Sequence, residues 1–116
     1  MPISNLAEAV TRTSAKAKEL GLLAPIVGHV GDGNFHASPL VEKGNAEERA
    51  RCEEFLTFIS DLALELDGTI TGEHGIGQGK MRSMEKEHKG SAEVMRAIKR
   101  ALDPLNILNP GKILTL

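Results

Sequence analysis

Apolar residues recur along this chain in two periods. Leu6, Val10, Thr13, Ala17 and Leu20 return at alternating steps of four and three, which marks one face of an amphipathic helix. Asn5 precedes the stripe as an N-cap with Glu8 three residues on, and Gly21 supplies a C′ stop. A wider stripe of Cys52, Phe55, Leu56, Ile59, Leu62, Ala63 and Leu66 defines the strongest helix. Asn45 caps it with Glu48 at N3, Glu47 and Glu48 suit its dipole, and Asp67-Gly68 ends it. Residues 80–88 predict a short charged helix. Ser91 caps a fourth, with Val94, Met95, Ile98 and Leu102 turned inward and Asp103-Pro104 as its end.

Between the first two helices the period changes to two. Residues 24–30 and 34–41 read as strands, and in the second Phe35, Ala37 and Pro39 alternate with Asn34, His36 and Ser38. Pro39 places that strand at an edge or ends it there. Asp32-Gly33 between them is a type I′ hairpin signal. A two-residue loop at that point sets His29 opposite His36 on the more polar face. Thr69-Ile70-Thr71 predicts a short extended piece. The tail after Leu105 has apolar residues and an Asn109-Pro110-Gly111 turn but no helical period, as in a segment that docks on something. The expected fold is one α+β domain over residues 1–116: a small antiparallel sheet with helices on one face, a ferredoxin-like cap-domain fragment plus a C-terminal helical tail.

Composition narrows the function classes. The 116 residues carry a net charge of −2 with Lys and Arg scattered among acids, which excludes a nucleic-acid footprint. No run approaches the ~18 apolar residues of a membrane span, and the N-terminus lacks a signal pattern. The lone Cys52 excludes an internal disulfide and suits a reducing compartment, so the expected location is cytoplasmic. Cys52 itself reads as buried core.

Candidate chemistry lies in two stretches, Gly28-His29-Val30-Gly31-Asp32-Gly33-Asn34-Phe35-His36 and Gly72-Glu73-His74-Gly75-Ile76-Gly77. Opposed imidazoles about 4.5–5.5 Å apart at Cβ can share one metal ion. The bland reading is two structural histidines beside a tight turn. The Glu-His pair in a second glycine-rich stretch favours ligation. Two His and one carboxylate suit Zn²⁺, Mn²⁺ or Fe²⁺. Glu73 and His74 point to opposite sides of an extended loop, so one can bind metal while the other faces substrate. Glu73 can instead serve as the general base of a metal-dependent hydrolase. Asp32 reads as a turn residue, Asn34 as structural or functional, and His88 as solvated. Gly75-Ile76-Gly77-Gln78-Gly79-Lys80-Met81 fails as a P-loop, because His74 stands where the first Gly is needed and Met81 where Ser or Thr is needed.

These two stretches and Leu102-Asp103-Pro104-Leu105-Asn106-Ile107-Leu108-Asn109-Pro110-Gly111-Lys112, in this order, resemble the C-terminal part of the FAD-linked 2-hydroxyacid dehydrogenases, flavoproteins of the vanillyl-alcohol oxidase type. The resemblance covers nearly the whole chain, and family members are several times longer. It implies that His29, His36 and Glu73 bind a divalent metal and that His74 is the catalytic base over FAD. The substrate implied is a small D-2-hydroxy acid of the lactate, glycolate or 2-hydroxyglutarate type. Asn34, Ser38 and Asn109 are the implied substrate or cofactor contacts. Some members carry Asn two residues after the second histidine, where this chain has Ser38. The resemblance implies that this chain is the last quarter of such an enzyme, either an excised or truncated piece or a separate subunit, with the flavin-binding domain outside it, and the isolated chain is expected to be inactive. Apolar surface left exposed is expected to drive homo-oligomerisation. A non-catalytic metal-binding or assembly module is the alternative.

Overall fold

A computed structural model describes residues 1–116 and gives four helices and one two-stranded antiparallel sheet, an α+β arrangement. The order is α1 (Ile3–Glu19), β1 (Ile26–His29), a 3₁₀ turn (Val30–Asp32), β2 (Asn34–Ala37), α2 (Ala46–Glu65), α3 (Met81–Glu87) and α4 (Ala92–Leu102). The chain forms two units, Met1–Thr69 and Ile70–Leu116, each described by itself.

In the first unit α1 buries Leu6, Thr13 and Ala17 of the expected stripe, with Ala9 added, while Val10 and Leu20 are half-buried. Asn5 is not the cap. Pro2 holds that position, and Asn5, inside the helix, donates from Nδ2 to the Leu66 carbonyl at 3.0 Å at the end of α2. The C-terminus of α1 follows the glycine signal. Gly21 takes φ +63°, Leu22 N donates to Ala17 O at 2.9 Å and Gly21 N to Lys18 O at 3.1 Å, a Schellman closure.

Asn45 does cap α2, accepting from Glu48 N at 3.0 Å. Glu48 reaches Glu42 N at 2.7 Å instead of completing a reciprocal box with Asn45. The α2 stripe is narrower than expected: Phe55, Leu62 and Ala63 are buried, whereas Leu56 is exposed and Cys52 only half-buried. Phe55 closes a core with Ala17 and Leu22, and Leu20, Ala24, Ala37 and Ile59 pack around it. Burying a Phe contributes about 1.5–3 kcal/mol. Because Ala37 of β2 meets this core, the hairpin lies with one face on the helices.

In the second unit Ile70, Met84 and Ala92 are buried. Residues 69–71 form no strand. Ile70 is instead held at both backbone ends: its N–H donates to Glu87 Oε2 at 3.2 Å and its carbonyl accepts from Lys80 Nζ at 2.7 Å. The α4 stripe departs from expectation. Val94, Ile98 and Leu102 are 54–78% exposed, and Ser91 makes no side-chain cap. An amphipathic stripe marks a face that can be buried, and nothing within this unit buries it.

The C-terminal part is helical through α3 and α4, and after Leu102 the chain is irregular, in keeping with its lack of a helical period. The buried Asp103 organises its first turn. Its carboxylate pairs with Lys99 and accepts from Ile107 N at 2.9 Å and Leu108 N at 3.0 Å. The Lys99 bond, with help from those two amides, holds the Asp103 carboxyl below its ordinary range.

Candidate metal centre

The hairpin builds the first part of the site. Ile26 pairs with Ala37, Val27 with His36, Gly28 with Phe35 and His29 with Asn34. The expected two-residue loop is therefore replaced by four residues, 30–33. Val30–Asp32 make a 3₁₀ turn closed by Gly33 N to Val30 O at 3.2 Å, and only Gly33 adopts positive φ, at +66°. Four-residue hairpin loops are commonly built on such a turn. Beyond β1 and β2 the pairing runs on through Ser38 N to Pro25 O at 3.1 Å and Leu40 N to Leu23 O at 2.9 Å. Pro25 has no N–H to return to Ser38 O, which interrupts the ladder and leaves both strands shorter than the sequence expectation.

Two glycines make this hairpin possible. A Cβ on Gly28 would lie 2.5 Å from the Asn34 carbonyl and 2.7 Å from Phe35 Cα. A Cβ on Gly33 would overlap the Met1 carbonyl, and its φ excludes most other residues independently.

His29 and His36 are thus diagonal rather than opposite, but they remain on one face. Their ring centroids stand 6.1 Å apart with planes at 89°. His29 is exposed and His36 half-buried. Val27 and Asn34 share this face by register, and Ser38 follows with the same parity.

The donor set fits a divalent ion. With Zn–N near 2.0–2.1 Å, two imidazoles on one ion hold their centroids roughly 5 Å apart. Closing from 6.1 Å needs only side-chain rotation, which an exposed His29 permits.

Glu73 and His74 belong to the second unit. They occupy a turn closed by Gly75 N to Gly72 O at 3.2 Å, with Gly75 at φ +74°. The turn sets them on a common side: Glu73 Oε1 lies 3.7 Å from His74 Nε2, not on opposite sides as an extended loop would place them. Both are substantially exposed. Asn109 is in the tail at φ +47° and lines a cavity of about 170 Å³ with Lys99, Leu108 and Lys112. His88 is half-exposed beside Glu87. Burial raises the Cys52 thiol pKa, with a smaller push from Glu53, which makes it a poor nucleophile.

Sequence reasoning missed Lys80 and Asp103 as organisers of the second unit. Asp103-Pro104 at a helix end was the available signal for the latter, because an Asp side chain readily binds the amides that follow it.

Comparison with known proteins adds a family and relatives. The family described as FAD linked oxidases, C-terminal domain, matches residues 1–113. A mitochondrial D-lactate dehydrogenase [cytochrome] of Arabidopsis thaliana is 42% identical over 115 residues, covering 98% of this chain and 20% of the relative. A probable mitochondrial D-lactate dehydrogenase of Danio rerio is 43% identical over 118 residues, 100% of this chain and 24% of the relative. Glycolate oxidase subunit GlcD of Bacillus subtilis is 40% identical over 114 residues, 97% of this chain and 24% of the relative. The chain thus spans a quarter or less of the length of these relatives. No helix is long and apolar enough to cross a membrane.

Proposed function

The chain belongs to the FAD-linked oxidases, as their C-terminal domain, and from that membership we propose that it is the metal- and substrate-binding segment of an FAD-dependent oxidoreductase. The reaction is oxidation of a D-2-hydroxy acid of the lactate, glycolate or 2-hydroxyglutarate type to the 2-oxo acid. The observation that carries this reading is the pair His29 and His36 on one face of a hairpin whose other face is committed to the core.

His29 and His36 supply imidazole nitrogens and Glu73 a carboxylate oxygen to one divalent cation. When bound, that cation would lower the pKa of the substrate hydroxyl, and the flavin, held by a partner domain or subunit, would take up the hydride. His74 accepts the hydroxyl proton on a ring nitrogen, so the proton and hydride leave to different acceptors. Its place in the same turn as Glu73 supports that division of roles, because a base must sit within reach of the hydroxyl that the cation holds. Asn34 and Ser38, with the parity of His36, contact the substrate, and Asn109 contributes from the tail. The exposed row Val94, Ile98, Leu102, Leu105, Ile107 and Leu108 is suited to cover by the flavin-binding partner. In its absence that row favours self-association.

Elemental analysis of the purified chain tests the metal site. The wild type is expected to retain a divalent transition metal, and His29→Ala and His36→Ala to lose it. Equal metal content in all three would sink the proposal.

A further inference from the structure

The turn carrying Glu73 and His74 is rich in glycine, with residues 72, 75, 77 and 79 all Gly. A free loop of this composition has too much backbone freedom to hold two side chains in fixed relation. It is not free. At its neck Lys80 Nζ donates to Ile70 O at 2.7 Å. Further along, the Gly77 carbonyl accepts from Ile113 N at 2.8 Å, a contact from 36 residues downstream.

Ile113 makes that contact in an unusual conformation. Its φ is +66°, a region in which a β-branched residue is an outlier. Such strain persists only where the surroundings over-determine it. Here α4 grips the tail on both sides of Ile113. Before it, Lys99 and Asp103 hold the 103–108 turn, and Lys99 Nζ also donates to Leu108 O at 2.5 Å. After it, Arg96 Nε donates to Thr115 O at 2.7 Å.

We propose that the tail is a strap that positions the Glu73–His74 turn, with Ile113 as its positioning residue. Ile113 acts through its backbone N–H, and its left-handed φ sets the course of the chain beyond that N–H, where Arg96 holds Thr115 O. The significance of the strap for catalysis rests on the roles proposed for Glu73 and His74. Its existence does not, and the readout is therefore taken in the metal-free chain.

The test is ¹⁵N relaxation of Glu73, His74 and Gly75 in the wild type, Ile113→Gly, Ile113→Pro and a chain ending at Lys112. Glycine keeps the N–H and removes the strain, whereas proline has no N–H and cannot take positive φ. Order parameters above about 0.8 are expected in the wild type and Ile113→Gly, falling below about 0.6 in Ile113→Pro and the shortened chain. The α1 and α2 amides, as a folding control, keep their wild-type values. Wild-type order in the turn of both Ile113→Pro and the shortened chain would overturn the proposal. So would Ile113→Gly as disordered as Ile113→Pro, since the side chain would then be the tether.

Discussion

Val27, not His29, is the residue that stands opposite His36 across the hairpin. The pairing is shifted by two residues from the one a two-residue loop would give. A shift of one would have sent one histidine to the core face, but a shift of two keeps both on the outer face. The imidazoles therefore meet on the diagonal.

That register yields a gain-of-function prediction. Val27 is 64% exposed, so Val27→His should change stability by less than about 0.5 kcal/mol. It would set a third imidazole directly against His36. Zinc affinity, measured by calorimetry, is expected to rise at least about tenfold, equivalent to ~1.4 kcal/mol. The same substitution at Ile26, which pairs with Ala37 on the core face, should not raise it.

How much of this was legible in the sequence depends on the element. The faces of the hairpin were, because alternation fixes which residues of each strand share a face and a two-residue shift leaves the match between the strands unchanged. The register was not, because a glycine at position 33 satisfies a type I′ turn and a four-residue loop equally well. Asn45 behaved as a cap. Asn5 had the same local signature but reaches Leu66 O instead, and the helix packing that brings Leu66 within reach is not a local property. The α4 stripe is legible as amphipathic but its exposure is not, because periodicity identifies an apolar face and not its partner. Nothing local foretold positive φ at Ile113.

Thr13 is fully buried in α1, and its hydroxyl has no hydrogen-bond partner. Thr11, two residues earlier, bonds back to Ala7 O at 2.8 Å as helical threonines commonly do. An unpaired buried hydroxyl costs about 1–3 kcal/mol, so Thr13→Val should stabilise the first unit by ~1 kcal/mol. Urea unfolding would show a higher midpoint at unchanged slope. A lower midpoint would mean that the hydroxyl has a partner after all.

Asp67 occupies the C′ position of α2 at φ +55°, and Gly68 follows it, with Gly68 N donating to Ala63 O at 2.7 Å. The left-handed residue is thus the aspartate, not the adjacent glycine. Asp67→Gly should stabilise the chain by about 0.5–1 kcal/mol. Gly68→Ala should destabilise it, because the added Cβ would sit 2.8 Å from the Ala63 carbonyl. Thermal unfolding of the two variants separates these directions.

Acid should loosen the tail. The folded-state pKa of Asp103 lies below its unfolded value, chiefly through Lys99, so the unfolded chain binds the proton first. The stabilisation is complete above the ordinary carboxylate pKa near ~4 and is lost as pH falls through the lowered value. Amide signals of Ile107 and Leu108 are expected to hold constant from neutrality to about pH 5 and to move together below ~4. In Asp103→Asn that acid transition should vanish.

The proposed site requires His29 and His36 to grip one cation. Titrating zinc into ¹⁵N-labelled chain and following the imidazole nitrogens tests it most directly. His29 and His36 should shift together and saturate at one equivalent, His88 should not move, and His36→Ala should abolish the His29 response. Independent titration of the two rings, or a His29 response that survives His36→Ala, would contradict it.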